Sequence, residues 1–329
     1  MIAHLLQFVA ERQVSVIEQT LPPLQAHQVR VQTTLSAISA GTELLVFRNQ
    51  FPRNMAVDAN IDALAGAFAY PLAYGYALVG RVVEAGTAVE RSWHGRRVFA
   101  FHPHASSFIT TTDALLPIPH GISDADAVCL PNMETAVNLV QDGAPLLGES
   151  VAVFGQGVVG LLTTALLSRF PLGHLVTVEG LPIRRATSYQ AGAHNSLSLD
   201  AVPPTRFDLI FECSGSPSAL NTALGWLRHS GRVVVGSWYG DKMVTLNLGE
   251  SFHRERLRII SSQVSTLAPE LSGRWDKARR MSVAWEALRW VKPSRWITHR
   301  YPLADAQTAY HLLDTAPHDA LQVVFEYPD

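Results

Sequence analysis

The pattern of apolar and polar positions changes twice along the chain. Up to about residue 125, short stretches of alternating apolar and polar residues are separated by turn residues, most clearly in 27–40, 76–86 and 96–111. Short strands at this spacing are typical of an all-β, barrel-like domain. Residues 51–67 lack the alternation, so they predict a loop or a short helix.

A regular alternation of strands and helices begins after Pro131. The predicted segments are 133–141 (helix), 151–155 (strand), 158–170 (helix), 174–180 (strand), 184–193 (helix), 207–215 (strand) and 231–238 (strand). Strands and helices that take turns at this period build a parallel sheet with helices on both faces. The middle of the chain therefore predicts an α/β fold with a Rossmann-type, doubly wound parallel sheet.

The last stretch predicts two helices, at 275–291 and about 302–314, and a closing strand at 320–327. These segments have no sheet of their own, so we expect them to complete the β domain at the start of the chain. The predicted boundaries are 1–131 for the first part of the β domain, 132–264 for the Rossmann domain, and 265–329 for the second part of the β domain.

Composition narrows the possible partners and locations. The 329 residues suffice for two domains with separate cores. A net charge of -2 without a basic block gives no support for a nucleic-acid partner, and no apolar run reaches the ~18 residues of a membrane span. Two cysteines exclude a disulfide framework, and the start of the chain lacks the basic segment of a signal peptide. We expect a soluble, cytoplasmic protein.

A glycine-rich hexamer directly follows the strand at 151–155 and opens the next helix. This context fits the G-x-G-x-x-G loop that binds a dinucleotide: the first glycine permits a tight turn, the second admits the pyrophosphate, and the third lets helix and strand pack closely. The N-terminus of the helix then faces the phosphates. The residues of the motif are Gly155, Gln156, Gly157, Val158, Val159 and Gly160.

The residues after the next strand bear on the choice of dinucleotide. Glu179 ends that strand, where a carboxylate accepts hydrogen bonds from the adenosine ribose and repels a 2′-phosphate. NAD(H) is therefore favoured. Arg184 and Arg185 leave NADP(H) open, because a guanidinium can hold the 2′-phosphate; the simpler interpretation is that both begin a helix and face solvent.

The order of these features resembles the medium-chain dehydrogenase/reductase superfamily over nearly the whole chain. The stretches that carry the resemblance are SAISAGTELL (36–45), YGYALVGRVVEAG (74–86), GRRVFAF (95–101), META (133–136), GQGVVG (155–160), ECSGS (212–216), GRVVVGSW (231–238) and YPLADAQTAYHLLD (301–314). Within the superfamily, the first two are most similar to bacteriochlorophyllide a dehydrogenase-like proteins. The resemblance implies a Rossmann domain inserted in a GroES-like β-barrel catalytic domain, an NAD(P)-dependent oxidoreductase with a small-molecule substrate, and a homodimer.

Zinc-dependent members of this superfamily bind their catalytic zinc through three protein ligands. The corresponding positions here carry Ala40, Tyr76 and Pro131, none of which ligates zinc in the usual way. A four-cysteine structural zinc lobe is also impossible with two cysteines. The resemblance therefore predicts a branch without zinc.

Without zinc, hydrogen-bond donors must stabilise the alkoxide or enolate of hydride transfer. Thr42 occupies the proton-relay position of the family, and Tyr76 brings a phenol to a former ligand position. Their simpler roles are a turn hydrogen bond and packing. We expect Glu43 to organise its loop more than to act as a base. His102, with His104, is an acid/base candidate near neutral pH, or lies on a surface loop.

On the cofactor side, the resemblance places some residues beside the nicotinamide and others beside the adenosine or ribose. The first group is Thr135, Ser237 and Trp238, and the second is Cys213, Ser214 and Gly215. Cys213 is not expected to act as a nucleophile, because no base is tied to it.

The residues and the resemblance together predict a zinc-independent, NAD(H)-dependent oxidoreductase that interconverts an alcohol and a carbonyl. The resemblance implies a biosynthetic, ring-containing substrate. Two alternatives stay open at this point. One is an NADPH-dependent enoyl or quinone reductase, and the other is a dinucleotide-binding sensor without catalysis.

Overall fold

The computed structural model describes residues 1–53, 55–57, 61–203 and 205–328. It contains two compact units: unit 1 is Met1–Pro131 with Lys292–Asp329, and unit 2 is Asn132–Val291. The first boundary between the units, at Pro131, coincides with the start of the alternating strands and helices in the sequence. Of the irregular segment 51–67, the described part includes one short 3₁₀ turn, Asp62–Leu64; residues 54 and 58–60 lie outside the described residues.

The strands, in chain order, are β1 (Ile2–Ala10), β2 (Gln13–Thr20), β3 (Gln28–Ala37), β4 (Leu78–Ala85), β5 (Arg97–Ala100), β6 (Ser107–Thr111), β7 (Leu115–Pro117), β8 (Ser150–Phe154), β9 (His174–Val178), β10 (Asn195–Leu197), β11 (Phe207–Glu212), β12 (Leu227–Val235), β13 (Arg258–Ser261), β14 (Ile297–Pro302) and β15 (Gln322–Glu326). The helices are α1 (Ala40–Phe47), α2 (Asp124–Ala127), α3 (Leu130–Gly143), α4 (Val158–Leu167), α5 (Pro182–Gln190), α6 (Pro217–Trp226), α7 (Lys277–Val291) and α8 (Ala306–Thr315).

Unit 1 is built on a β-sheet whose alternate side chains form a core. Among the described residues the strand order of this sheet is β14-β15-β3-β4-β5-β7, and β6 also pairs with β3. Strands β1 and β2 pair with each other in a separate two-stranded sheet. Val29 and Val31 of β3 are fully buried and pack with Val82 and Val98. The closing strand β15 runs antiparallel to β3. The strands of the tail therefore complete the β domain, as the sequence predicts.

Unit 2 contains a parallel sheet with the order β10-β9-β8-β11-β12-β13 among the described residues. Successive side chains of β8 fill two separate cores, Val151 and Val153 on one face and Ala152 and Phe154 on the other. The order of the strands reverses between β8 and β11. In doubly wound sheets the carboxyl ends of two such strands border the ligand-binding crevice.

The second domain boundary predicted from the sequence differs from the structure. Residues 265–291, expected in the β domain, belong to unit 2. Arg280 of α7 is fully buried and donates hydrogen bonds to Glu134 Oε1 (2.8 Å), Asn138 Oδ1 (2.6 Å) and the carbonyl of Thr266 (2.9 Å). A buried guanidinium requires such partners, so α7 is tied to α3.

No helix in the described part of the chain is both long and apolar enough to cross a bilayer.

Candidate functional site

The glycine-rich turn between β8 and α4 has the geometry that each glycine of a dinucleotide loop requires. Gly155 has φ +83°, and a Cβ there would lie 2.6 Å from Ser214 Cα. A Cβ on Gly160 would lie 1.9 Å from the carbonyl oxygen of Gly155, a distance that no packing tolerates. By contrast, no described atom lies within 4 Å of a Cβ on Gly157. The turn is thus closed at its first and third glycines and open at the second.

Gln156 supports this turn from inside the protein. Its side chain is fully buried, Nε2 donates to the carbonyl of Gly155 (3.0 Å), and Oε1 accepts from Thr164 Oγ1 (3.1 Å). The Gln156 side chain therefore holds the turn itself and is not available to a ligand.

Glu179 lies directly beside the glycine turn. Its Oε2 accepts from the backbone N–H of Gln156 (2.7 Å), and its Oε1 accepts from Leu181 N–H (2.9 Å). Each carboxylate oxygen has a further lone pair for a ribose hydroxyl. Glu179 therefore joins the glycine turn to the residue that precedes α5.

The two arginines that begin α5 do not simply face solvent. Both are half-buried. Arg185 donates to the carbonyls of Glu179 (2.8 Å) and Gly180 (2.7 Å), so it caps the end of the strand. Burial lowers the pKa of Arg184, while the charge of Glu179 opposes that shift. Arg184 thus lies within the electrostatic reach of Glu179.

The segment after β11 lies against the glycine turn. Cys213 N–H donates to the carbonyl of Phe154 (2.8 Å), and Gly215 N–H donates to Ser237 Oγ (2.8 Å). Burial raises the pKa of the Cys213 thiol, which agrees with a non-nucleophilic role. Ser214 is exposed at the carboxyl edge of the sheet. The other predicted cofactor contacts of unit 2 are half-buried: Thr135, Val158, Val159, Ser237 and Trp238.

Unit 1 brings Thr42 and Tyr76 together. Thr42 lies in the first turn of α1 and Tyr76 shortly before β4, and the Tyr76 phenol donates to Thr42 Oγ1 over 3.2 Å. Both side chains are half-buried. The two hydroxyl groups that the sequence selects as proton-handling candidates therefore form one hydrogen-bonded pair.

Glu43, next to Thr42, is fully buried within a network of donors. Its Oε1 accepts from Ser39 N–H (2.6 Å), and its Oε2 accepts from His104 Nε2 (3.0 Å) and from the Tyr310 hydroxyl. A Cβ on Gly75 would lie 2.6 Å from the His104 ring, so only glycine fits there. Glu43 therefore fixes the start of α1, as expected of an organising residue.

The histidine candidates need a correction. His102 stacks on Phe108 with ring centroids 4.0 Å apart, and burial lowers the pKa of His102 to about 4. His102 is consequently neutral near pH 7 and unsuited to acid catalysis there. His104 is fully buried, and a 2.7 Å hydrogen bond joins its Nδ1 to Ser36 Oγ. His102 lies half-buried in the loop after β5, whereas His104 is fully buried.

The residues at the expected zinc positions do not fit the metal. Ala40 begins α1, Tyr76 is bonded to Thr42, and Pro131 lies in the first turn of α3. None of these side chains supplies the imidazole, thiolate or carboxylate that zinc requires. Within the described ranges, no group of three or more His, Cys, Asp or Glu residues could hold a metal ion.

Two further candidates, Glu212 and Tyr239, become visible only in the structure. Glu212 ends β11 and is fully buried, and its Oε2 accepts from the Tyr239 hydroxyl (2.7 Å). The only signal in the sequence is a carboxylate at the end of an apolar strand in FDLIFECSG (207–215). Such a residue must find donors once buried, but the sequence does not identify them.

Comparison with known proteins finds dehydrogenases that are similar to this chain in sequence or in fold. No family model matches the chain. D-guloside 3-dehydrogenase of Escherichia coli K12 is 24% identical over 301 residues, which cover 85% of this chain and 86% of that protein. The structure of an Escherichia coli CFT073 alcohol dehydrogenase, RspB, complexed with NADH has a TM-score of 0.79 at 18% identity, covering 99% of both chains.

A putative zinc-binding dehydrogenase from Sinorhizobium meliloti bound to NADP has a TM-score of 0.78 at 17% identity, also covering 99% of both chains. The fold is a Rossmann domain combined with a catalytic domain, as in these dehydrogenases. The fold and the relatives together support the medium-chain dehydrogenase/reductase superfamily. The narrower similarity to bacteriochlorophyllide a dehydrogenase-like proteins stays a prediction.

Proposed function

We propose that this protein is a zinc-independent, NAD(H)-dependent oxidoreductase that interconverts an alcohol and a carbonyl on a ring-containing biosynthetic substrate. The observation that carries the proposal is the hydrogen bond between the Tyr76 and Thr42 hydroxyl groups. By the family resemblance, Tyr76 stands at a zinc-ligand position and Thr42 at the proton-relay position. An NAD(P)-dependent oxidoreductase is consistent with the dehydrogenase names of the relatives.

The residues of unit 2 fit a dinucleotide. The open side of Gly157 and the first turn of α4 would receive the pyrophosphate, and Glu179 would accept hydrogen bonds from the adenosine ribose. Glu179 favours NAD(H), because its charge would repel a 2′-phosphate. When bound, the nicotinamide exchanges a hydride with the substrate carbon.

The hydroxyl pair of unit 1 would handle the proton. In alcohol oxidation the substrate hydroxyl would pass its proton to the Tyr76 oxygen while the phenol passes its own proton to Thr42 Oγ1, and Thr42 would release its hydroxyl proton to water. Carbonyl reduction would run the same transfers in reverse. One well-placed donor of this kind is worth about 3 kcal/mol of charge stabilisation in a transition state. Glu43, held by His104 and Tyr310, would keep Thr42 in place by fixing the first turn of α1.

A sequence relative bears on the chemistry of the substrate. The relative that is 24% identical is a D-guloside 3-dehydrogenase, and a guloside is a cyclic sugar derivative. We therefore extend the proposal to a cyclic polyhydroxy compound. The homodimer and the cytoplasmic location stay predictions.

The proposal is tested by metal content and turnover measured on the same purified protein. We expect elemental analysis to find no stoichiometric zinc, and we expect NAD⁺-dependent oxidation of one compound in a panel of glycosides, cyclic polyols and simple alcohols, followed by NADH absorbance. Treatment with a chelator should leave the rate unchanged, because no step requires the metal. A rate that the chelator removes and added zinc restores would contradict the zinc-independent mechanism. Turnover of enones or quinones with NADPH, but of no alcohol, would favour the reductase alternative.

A further inference from the structure

Glu212 is a buried carboxylate that the proposed chemistry does not use. It ends β11 at the carboxyl edge of the parallel sheet and has no exposed surface. A carboxylate out of contact with water is costly unless donors surround it. Its donors therefore indicate what this residue does for the fold.

The donors to Glu212 come from the loop that follows it and from the segment after β12. Oε1 accepts from the backbone N–H of Ser214 (2.7 Å), from the backbone N–H of Gly215 (3.2 Å) and from the Ser214 hydroxyl. Oε2 accepts from the Tyr239 hydroxyl (2.7 Å). Burial and the neighbouring Glu212 charge raise the pKa of Tyr239, so its phenol remains protonated and able to donate. A single carboxylate thus joins the loop after β11 to the segment after β12.

The same loop is in contact with the phosphate turn. Ser214 Cα lies where it excludes any side chain from Gly155, the first glycine of the turn. Lys242 Nζ donates to the carbonyl of Gly215 (3.0 Å), and Ser237 Oγ accepts from the N–H of the same residue (2.8 Å). The position of the loop therefore sets one wall of the turn that would receive the pyrophosphate.

We propose that Glu212 is a positioning residue of the dinucleotide site, which holds residues 213–216 against the glycine turn before the cofactor binds. The inference rests on the proposed function, because it assumes that the glycine turn binds NADH. A loop that is already ordered saves the ordering cost that binding would otherwise include. Removing the carboxylate should therefore lower cofactor affinity although Glu212 does not touch the cofactor.

The decisive variants are Glu212→Ala, Glu212→Gln and Tyr239→Phe, with NADH as the probe in calorimetric titration. Glu212→Ala removes every acceptor and should weaken NADH binding on the order of tenfold or more. In Glu212→Gln the amide oxygen can replace Oε1 and the amide N–H can donate to the Tyr239 oxygen, so affinity should stay within about threefold of wild type. Tyr239→Phe removes one donor, so its NADH affinity should lie between those of Glu212→Ala and Glu212→Gln.

Glu149→Ala is the matched control. Glu149 precedes β8 at the opposite, amino edge of the same sheet, and it forms a salt bridge with Arg232 (2.8 Å). Its removal should cost stability in unit 2 without weakening NADH binding. Hydrogen exchange supplies a second readout: without cofactor, the amides of residues 213–216 should exchange faster in Glu212→Ala but not in Glu149→Ala.

The outcomes separate this inference from the proposed function. A wild-type protein that binds no NADH would refute the function itself. If the wild type binds NADH, equal affinity of Glu212→Ala, or equal losses in Glu212→Ala and Glu149→Ala, would overturn the positioning role. Should Glu212→Ala fail to fold, Tyr239→Phe is compared with Glu212→Gln. Wild-type NADH affinity and wild-type amide hydrogen exchange in Tyr239→Phe would then contradict the inference.

Discussion

Replacing Tyr76 by Phe is expected to slow turnover by about 10²- to 10⁴-fold while leaving NADH affinity unchanged. The phenol donates to Thr42 Oγ1 over 3.2 Å, and phenylalanine keeps the ring but removes the group that exchanges a proton. Steady-state rates with the substrate found in the panel, together with calorimetric titration of NADH, measure both effects. Tyr301→Phe is the control, since Tyr301 lies on β14 of the same unit and stacks on His299.

A double-mutant cycle with Thr42→Val tests whether the two hydroxyl groups act as one unit. Residues that transfer one proton together give strongly non-additive losses, so the double variant should be about as slow as the slower single variant. Additive losses in the cycle, or wild-type turnover in Tyr76→Phe, would remove the pair from the mechanism.

Replacing Glu43 by Ala is expected to lower the free energy of unfolding by about 3–5 kcal/mol. The substitution leaves three buried donors without an acceptor: the N–H of Ser39, the ring of His104 and the hydroxyl of Tyr310. Each donor loses its partner without regaining water, which is why the effect exceeds that of one hydrogen bond. Urea unfolding measures the change.

The control for this prediction is Glu84→Ala. Glu84 forms a 3.0 Å salt bridge with Arg30 on the surface of the same unit, and its side chain is 54% exposed. An exposed pair contributes at most about 1 kcal/mol. Equal losses of unfolding free energy in Glu43→Ala and Glu84→Ala would contradict the prediction that the buried hydrogen bonds of Glu43 stabilise the protein more than an exposed salt bridge does.

The parts of the structure that follow from local pattern could be predicted from the sequence. The glycine turn is one example, because its requirements lie within six consecutive residues and their flanking strand and helix. The parallel sheet is another example. Both faces of β8 are buried, so the strand is apolar at nearly every position, and this continuous apolar run is visible in the sequence. The family resemblance indicates Thr42 and Tyr76, and in the structure their hydroxyl groups form a hydrogen bond.

The features that depend on distant partners could not be predicted. His104 lies 61 positions from Glu43 in the sequence and Tyr310 lies 267 positions away, so nothing local indicates that they share a carboxylate. His102 next to a proline suggests a surface turn, and nothing local indicates that its ring stacks on Phe108, six positions later. The sequence also does not indicate that α7 belongs to unit 2. Arg280 of α7 binds Glu134 and Asn138 of α3, which lie more than 140 positions earlier.

The most direct test of the central claim, that the glycine turn and Glu179 bind NAD(H), is calorimetric titration of NADH and NADPH into the wild type, Gly160→Ala and Gly225→Ala. Gly225 is the matched control, because no described atom lies within 4 Å of a Cβ there, whereas a Cβ on Gly160 would lie 1.9 Å from the carbonyl oxygen of Gly155. We expect the wild type and Gly225→Ala to bind NADH about tenfold or more tightly than NADPH, a difference of about 1.4 kcal/mol, and Gly160→Ala to bind neither. Tighter binding of NADPH by the wild type, or unchanged NADH binding by Gly160→Ala, would contradict this account.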